Sequence, residues 1–365
     1  MSIDDDRVLI IGAGQSGLAA AHAALEHGLH PVLLEASARA AGSWPRYYDS
    51  LTLFSPARYS HLPGLPFGGD GDRYPHRDEV AAYLERYAAA LADRGAQIRT
   101  GTRVNRVEAG EELDEGGRGF AVRLEGGEEV SAPVLIAASG AFARPHRPAL
   151  AGLETFTGRV LHAADYRCPA MLAAEHVVVV GAGNSAIQIA HELAAHTRVT
   201  LATRAPIRFA AQRPLGRDLH FWFRLSGFDR LPLARADAPP AVPVLDDGRY
   251  RRALRQGRYV RRAMFTRLDG QEVVWADGRR ERADALLLAT GYRPDLGYLA
   301  ALGALRGDGR PHQRAGLSLT HPGLGFLGLE WQRTPSSNTL RGVGADARYL
   351  LARLVRRDRT RRRRP

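Results

Sequence analysis

The feature that most constrains the fold is an apolar run that leads into a glycine-rich turn, residues 7–17. Gly12, Gly14 and Gly17 have the GxGxxG spacing. The first glycine permits the tight turn, the second lets the backbone approach a pyrophosphate, and the third lets a helix pack on a strand. The helix predicted over 18–26 begins at this turn and offers free N–H groups to the pyrophosphate. The stretch therefore predicts a dinucleotide-binding βαβ unit.

An acidic residue stands where such a unit needs one. A strand is predicted over 31–34, and Glu35 ends it about 20 residues after the turn, where an acidic side chain takes a ribose hydroxyl. An ordinary βαβ turn without a ligand is the alternative, and the strand, helix and acid found together argue against it.

The same strand–turn–helix pattern recurs over 175–186. Gly181 and Gly183 repeat the first two glycines, Asn184 and Ser185 follow them, and Ala186 replaces the third. Two copies in one chain are far more specific than one and imply two bound dinucleotides.

The two units differ at the end of their second strands. The strand predicted over 199–202 is followed by Thr203 and Arg204, where the first unit has Glu35. An arginine at this place suits a 2′-phosphate. The first site is therefore expected to take a ribose with free hydroxyls and the second to take NADPH, although a solvated surface role for Arg204 is the alternative.

The predicted fold is α/β, with two Rossmann-like dinucleotide-binding domains, the second inserted into the first, and a small β meander. Buried strands that end in small residues are predicted over 134–140 and 285–291, the first of them returning the chain to the first sheet. The meander is expected from strand signals at 98–100, 103–107, 120–124 and 129–130. The expected domains are 1–165, 166–284 and a return to the first domain over 285–365 with a basic tail.

Other segments carry weaker signals. Asp78 is a plausible N-cap of a helix with a stripe at 80, 83, 84 and 87. Residues 205–260 are irregular in pattern and Arg/Pro-rich, and they are expected to form a partly ordered excursion that caps a substrate channel. A hairpin is predicted over 264–275, a last helix near Gly342, and disorder for the Arg361–Arg364 tail.

Composition excludes several functions. The chain has 365 residues, a net charge of +12 and a single cysteine, Cys168, so it has no internal disulfide. It has no lysine, which excludes a Schiff-base lysine. The arginines are scattered and accompany no nucleic-acid motif, so no nucleic-acid partner is expected. No metal site or membrane span is predicted, and we expect a cytoplasmic protein with a small-molecule substrate; a homodimer stays open.

With these motifs the chain resembles class B flavin-dependent monooxygenases over nearly its whole length. The paired glycine turns carry the resemblance, as do Gly42-Ser43-Trp44 and Ala289-Thr290-Gly291-Tyr292. Its most specific part is the pattern FxGxxxHxxxY, formed by Phe156, Gly158, His162 and Tyr166. Residues 48–66 look like YUCCA-type and arsenic-operon enzymes. Tyr166-Arg167 replaces the Trp-Pro usual in Baeyer–Villiger enzymes, which weighs against ketone oxygenation.

The resemblance implies FAD and NADPH as cofactors and assigns residues to each. His162 is implied to couple NADPH binding to domain orientation, and Phe54 falls near a position where related enzymes carry an asparagine. Gln332 is implied to lie by the flavin ring with Trp44. The residues expected to bind cofactors are Gly12, Gly14, Gly17, Glu35, Gly42, Ser43, Trp44, Val104, Ser139, Gly140, Gly181, Gly183, Asn184, Ser185, Arg204, Thr290, Gly291 and Gln332.

The implied reaction passes hydride from NADPH to FAD, and the reduced flavin takes O₂ to give a C4a-(hydro)peroxide. A soft nucleophile (sulfur, nitrogen or a trivalent metalloid) then takes the distal oxygen. A YUCCA-like oxidative decarboxylation of a 2-oxo acid is the alternative, with Arg58, Arg213 or Arg217 for the carboxylate. A flavin reductase or oxidase without oxygen transfer is another, whereas a disulfide reductase is disfavoured because it needs a cysteine pair.

Overall fold

The computed structural model describes residues 6–113, 117–172, 176–233 and 242–361. The α-helices of this part of the chain are α1 (Gln15–Glu26), α2 (Arg77–Ala92), α3 (Asn184–Leu193), α4 (Leu219–Leu225), α5 (Arg249–Arg255) and α6 (Leu340–Arg361). The strands are β1 (Arg7–Ile11), β2 (His30–Leu34), β3 (Gln97–Arg99), β4 (Val104–Leu113), β5 (Gly117–Leu124), β6 (Glu129–Ala132), β7 (Val134–Ala137), β8 (Arg159–His162), β9 (His176–Val180), β10 (Arg198–Thr203), β11 (Phe209–Ala211), β12 (Val244–Asp246), β13 (Val260–Ala263), β14 (Arg267–Asp269), β15 (Glu272–Val274), β16 (Arg280–Arg282), β17 (Ala285–Leu288), β18 (Gln313–Arg314), β19 (Leu317–Ser318) and β20 (Leu324–Phe326).

The first sheet contains the first glycine turn. Its strand order is β18-β19-β20-β7-β1-β2-β3, and the strands from β20 to β3 are parallel. Strand β1 lies between β2 and β7 and is almost wholly buried. Helix α1 follows it and buries a run of small residues, 19–21 and 23–24, which lets α2 and α6 pack closely against it. This arrangement confirms the predicted first Rossmann-like unit.

A second parallel sheet is inserted between β7 and β18, as predicted. Its order is β13-β10-β9-β17-β8. The expected domain limits at 165/166 and 284/285 cut through this sheet, because β8 and β17 pair with each other inside it and β17 also pairs with β9. Both are short apolar strands that either sheet could accept, so their pattern does not specify which sheet they join.

Two antiparallel sheets and a two-stranded parallel sheet of β11 and β12 complete the described part of the fold. The predicted meander is formed by β4, β5 and β6, whereas the strand expected at 98–100 is the edge strand β3 of the first sheet. The predicted hairpin over 264–275 is confirmed by β14 and β15, and β16 adds a third strand to it.

Two local predictions need correction and one is confirmed. Helix α2 begins at Arg77 with His76 as its N-cap, because the His76 ring accepts the Asp78 N–H while Glu79 accepts the His76 N–H. The 205–260 excursion is partly ordered, as predicted, since its described residues contain α4, α5, β11 and β12 and lead into β13. Helix α6 begins two residues before Gly342 and includes Arg361, and residues 362–365 lie outside the described part.

No helix in the described ranges is both long enough and apolar enough to cross a membrane. The cytoplasmic location and the homodimer stay predictions.

The FxGxxxHxxxY pattern holds the second sheet together. The Phe156 ring packs in an apolar cluster with Val178 and Leu286. The fully buried Tyr166 donates its hydroxyl to the Glu192 carboxylate on α3 at 2.9 Å. Gly158 has no room for a side chain, because a Cβ there would lie 2.5 Å from the Phe156 ring and 2.7 Å from the Asp284 carbonyl oxygen.

We predict that Gly158→Ala lowers the free energy of unfolding by about 1–3 kcal/mol, because the added methyl group overpacks this contact. Gly297→Ala is the matched control, since a Cβ at Gly297 meets nothing within 4 Å. Urea unfolding of both variants measures the effect. An unchanged midpoint for Gly158→Ala would show that the strand shifts without cost.

Candidate functional site

The first glycine turn is so tight that its glycines touch neighbouring backbone. A Cβ on Gly17 would lie 1.8 Å from the Gly12 carbonyl oxygen, and one on Gly12 would lie 2.8 Å from that of Ala138. Gly12 also has a φ of +100°, which an L side chain rarely adopts. Gly14 is the N-cap of α1 and supplies no side-chain capping bond, so the helix N-terminus keeps N–H groups for an anionic ligand.

The Glu35 carboxylate fixes this turn with hydrogen bonds. One oxygen accepts the Ala13 N–H at 2.7 Å, and the other accepts the Ser37 N–H at 2.8 Å and its hydroxyl at 2.7 Å. The residue is buried, with 7% of its surface exposed. The structure therefore shows Glu35 fixing the turn, and its bond to a ribose hydroxyl stays a prediction.

The Gly42-Ser43-Trp44 segment covers the turn. Gly42 has a φ of +58°, and a Cβ on it would lie 2.8 Å from the Cα of Gly14. The Trp44 Nε1–H donates to Gln15 Oε1 at 3.3 Å, and Gln15 Nε2 donates to the Asn338 carbonyl at 2.7 Å. Three distant segments thus meet at the N-terminus of α1.

Three further predicted cofactor residues lie in strands of this unit or just after them. Val104 begins β4 and pairs with Leu124. Ser139 follows β7, and its hydroxyl donates to the Asp295 carbonyl at 2.6 Å. Gly140, with a φ of +72°, accepts the Asp295 N–H at 2.9 Å. Ser139 and Gly140 therefore tie the end of β7 to the segment that follows β17.

Gln332 lies near the N-terminus of α6, but its amide serves its own loop. Oε1 accepts the Leu329 N–H at 3.1 Å, and Nε2 donates to the Phe326 carbonyl at 2.5 Å. Gln332 is buried, whereas Glu330, two residues before it, is exposed. The predicted contact of Gln332 with a flavin ring stays a prediction.

The second glycine turn repeats the first. Gly181 has a φ of +145°, and a Cβ on it would lie 2.4 Å from the Ala289 carbonyl oxygen. Gly183 is the N-cap of α3 without a side-chain capping bond, and a Cβ there would meet nothing within 4 Å. Asn184 Oδ1 accepts the Leu245 N–H at 3.3 Å, and Ser185 hydrogen-bonds the Tyr48 hydroxyl.

Positive charge gathers beside this second turn. Arg204 follows β10 and is exposed. Burial lowers the pKa of His146, and the neighbouring cations Arg293 and Arg204 lower it further. The His146 N–H donates to the Gly291 carbonyl at 2.9 Å, and the Thr290 hydroxyl donates to the His146 carbonyl at 2.5 Å. The predicted residues Arg204, Thr290 and Gly291 therefore belong to one cationic corner.

His162 joins the ends of β8 and β17. Its ring is fully buried, Nδ1 accepts the Ala164 N–H at 3.0 Å, and Nε2 lies 3.1 Å from the Gly291 carbonyl oxygen. These partners place the proton on Nε2. Burial lowers the pKa of His162, with a further contribution from Arg147, so the ring is neutral at pH 7. The geometry gives it a joining role rather than that of an acid or base.

Phe54 lies where the excursion of the second unit reaches the first. Its ring is 37% exposed and lies 6.0 Å from that of His220, centroid to centroid. Gln212 donates to the Phe54 carbonyl at 3.0 Å and to the Asp218 carboxylate at 2.8 Å. Sequence reasoning missed Asp218 and His220, because only the D-x-H spacing marks them and their partners are distant in the chain.

The comparisons with known proteins agree with this geometry. A family model described as pyridine nucleotide-disulphide oxidoreductase matches residues 9–220. An uncharacterized CzcO-like oxidoreductase from Geobacillus kaustophilus is 31% identical over 94% of this chain and 97% of its own length. The indole-3-pyruvate monooxygenase YUCCA1 of Oryza sativa is 30% identical over 79% of this chain and 77% of its own length.

Among solved structures, the flavin-containing monooxygenase from Stenotrophomonas maltophilia has a TM-score of 0.84 and 30% identity, covering 98% of this chain and 100% of that one. The chain belongs to the class B flavin monooxygenase family. It is an FAD-dependent oxidoreductase of the monooxygenase type, and FAD and NADPH, the cofactors of that family, are its cofactors.

The neutral state of His162 has a consequence for stability. Its pKa in the folded protein lies below the ordinary 6.5, so the unfolded chain takes up the proton first as the pH falls. The contribution of His162 to the free energy of unfolding is present above pH 6.5. It is lost as the pH falls from there through the lowered pKa of the folded protein. We predict a smaller loss of unfolding free energy across that window in His162→Gln than in the parent.

Chemical unfolding at a series of pH values measures the slope, and the exposed His27→Gln serves as control. Equal slopes in the parent and His162→Gln would contradict a buried neutral ring.

Proposed function

We propose that this chain uses NADPH and O₂ to transfer one oxygen atom to a small soft nucleophile that carries sulfur, nitrogen or a trivalent metalloid. The observation that carries this proposal is the pair of uncapped glycine turns, the second with Arg204 beside it. A chain that only stores FAD has no need for the second turn. A disulfide reductase needs a redox-active cysteine pair, and Cys168 is the only cysteine.

The residues present fit both cofactors. At each turn the glycines leave backbone bare next to a helix N-terminus, which is the arrangement that accepts a pyrophosphate. When bound, FAD takes hydride from NADPH and reduces O₂. The chain's part is positional: Glu35 fixes the first turn and His162 fixes the Gly291 corner of the second. Residues 212–223 of the excursion meet residues 54–74 of the first unit at a junction that excludes water.

A second candidate is the oxidative decarboxylation of a 2-oxo acid, since the rice relative is named an indole-3-pyruvate monooxygenase. Such a substrate needs a cation for its carboxylate. Arg58 is already paired with Asp72 at 2.9 Å, and Arg217 lies over the Phe221 ring. Arg213, which is exposed and hydrogen-bonds the Tyr74 hydroxyl at the junction, is therefore the best placed of the three arginines considered.

Turnover with heavy-isotope O₂ tests the proposal. The holoenzyme is incubated with NADPH and, in turn, benzyl methyl sulfide, N,N-dimethylbenzylamine and phenylpyruvate. We expect one labelled oxygen atom in the product of the sulfide or the amine. Label only in the acid formed from phenylpyruvate would support the second candidate, and NADPH consumption that yields only hydrogen peroxide would contradict both.

We predict that Arg204→Ala raises the KM for NADPH about tenfold, the loss of one charge-assisted contact, and leaves the KM for NADH unchanged. Anaerobic bleaching of the flavin absorbance at a series of NADPH concentrations measures this. Arg208→Ala, which removes another exposed arginine four residues later, is the control. Equal losses with both coenzymes would contradict a 2′-phosphate contact.

A further inference from the structure

Among its described residues, the excursion of the second unit is attached to the first unit at two places. At one place, Tyr74 donates its hydroxyl to the Asp218 carboxylate at 2.6 Å, beside the bond from Gln212 to the Phe54 carbonyl. At the other, the Arg341 guanidinium of α6 holds Asp229 with bonds of 2.9 and 3.1 Å. We call the first place, formed by residues 54–74 and 212–223, the junction.

A buried carboxylate lies at the centre of the junction. Asp218 is 8% exposed and accepts four hydrogen bonds. Oδ2 accepts Tyr74 Oη–H at 2.6 Å and Gln212 Nε2–H at 2.8 Å, while Oδ1 accepts the His220 N–H at 2.8 Å and the ring Nδ1–H at 2.7 Å. Burial alone would raise the pKa of Asp218, but the bonds from His220, Tyr74 and Gln212 lower it. The carboxylate is therefore ionised.

The ionised carboxylate fixes the state of the His220 ring. A carboxylate only accepts hydrogen bonds, so Nδ1 carries a proton, and Nε2 is the nitrogen that bears the lone pair in the neutral tautomer. Among the described residues we find no partner for Nε2. An aspartate that orients a histidine in this way makes the free ring nitrogen a proton acceptor and stabilises the cation that results.

The groups around the ring are aromatic. Phe54 and Tyr59 lie near-parallel to it with centroids at 6.0 and 6.4 Å, and Phe223 lies edge-on at 5.8 Å. His220 itself is 1% exposed, whereas Phe54 is 37% exposed and forms the wall toward solvent. The imidazole therefore lies behind the Phe54 ring, and a ligand reaches it only when that ring turns aside. The titratable groups here are Asp218, Tyr59, Tyr74 and, through Tyr74, Arg213.

Helix capping does not account for this arrangement. Asp218 is the N-cap of α4, and that role uses only the bond from the His220 N–H. The ring bond and the bonds from Tyr74 and Gln212 are additional, and they come from both units. The four hydrogen bonds together offset the cost of burying the Asp218 charge.

We propose that His220, oriented by Asp218, is the general base of the substrate site. It accepts the proton of a nucleophile that arrives protonated, an ammonium or a thiol on an apolar or aromatic group. The proposal rests on the monooxygenase function proposed above and names the substrate class of that same site.

The proton transfer balances with oxygenation. The N–H bond of a tertiary ammonium breaks, its electron pair stays on nitrogen, and the proton moves to His220 Nε2. The nitrogen lone pair then takes one oxygen atom of O₂. The other oxygen atom leaves as water with the hydride-derived hydrogen of NADPH and the proton held by His220, so one ammonium, one NADPH and one O₂ give one N-oxide, one NADP⁺ and one water.

A matched pair of substrates tests the base. N,N-dimethylbenzylamine is protonated at neutral pH and must lose a proton, whereas benzyl methyl sulfide has none to lose. In the holoenzyme we expect His220→Gln to lower kcat/KM for the amine about 100-fold at neutral pH and to leave that for the sulfide within about threefold.

The pH profile provides a readout that a structural role would not change. In His220→Gln, kcat/KM for the amine should follow the free amine in solution and rise about tenfold per pH unit, so high pH rescues the variant. In the parent kcat/KM should rise less steeply with pH, because the ammonium loses its proton to Nε2 within the site. Asp218→Asn should behave like His220→Gln, because an amide that donates to Nδ1 reverses the tautomer, which side-chain nitrogen NMR detects directly.

The control is His176→Gln, which removes another buried histidine hydrogen-bonded at both ring nitrogens, to Arg282 and Thr200 in the second sheet. It should lower stability without separating the two substrates. Equal losses of kcat/KM for amine and sulfide in His220→Gln, or an unchanged pH profile, would overturn the assignment of His220 as the general base. A parent that oxygenates the sulfide but not the amine would overturn it too, whereas a parent that oxygenates neither would overturn the proposed function itself.

Discussion

The structure depends on backbone meeting backbone at two glycine turns. Gly17 against the Gly12 carbonyl and Gly181 against the Ala289 carbonyl leave no space for a Cβ. Each turn brings a helix N-terminus to the carboxyl ends of its sheet, and those two sites are where dinucleotides bind in such folds. The rest of the chain serves to hold the two turns in place and to cover the space between them.

Neighbouring groups hold each turn with hydrogen bonds. At the first turn, the Glu35 carboxylate accepts the Ala13 N–H, and Gln15 links Trp44 to the segment before α6. Beside the second, His162 reaches the Gly291 carbonyl. A buried neutral imidazole suits such a joint, because it donates at one nitrogen and accepts at the other without burying a charge. Tyr48 of the first unit also packs in the apolar core of the second.

Much of this could be predicted from local patterns. The two strand–turn–helix units, the meander and the hairpin follow from periodicity and glycine spacing, because neighbouring residues decide them. The sheet that β8 and β17 join could not be predicted, since an apolar strand fits either one. The start of α2 is mispredicted because Asp78, a residue type common at N-caps, stands two residues after His76, whose ring is the actual cap.

In the candidate site, too, local patterns predict some residues, whereas others depend on tertiary contacts. The glycines of both turns lie where their spacing predicts, but the amide of Gln332 binds its own loop, which no motif announces. Asp218 and His220 become a unit only when Tyr74, 144 residues earlier, arrives beside them. A buried polar network of this kind depends on tertiary contacts, and in the sequence only the short D-x-H spacing marks it.

The central claim is that the reduced protein hands its electrons to O₂ in a way that keeps the oxygen available for transfer. Rapid mixing of the NADPH-reduced holoenzyme with oxygenated buffer, followed by absorbance, tests it most directly. The account predicts a lasting near-ultraviolet band that belongs to neither reduced nor oxidised flavin and that decays faster when a soft nucleophile is present. Direct return to the oxidised spectrum with hydrogen peroxide, both with and without the sulfide and the amine, would contradict it.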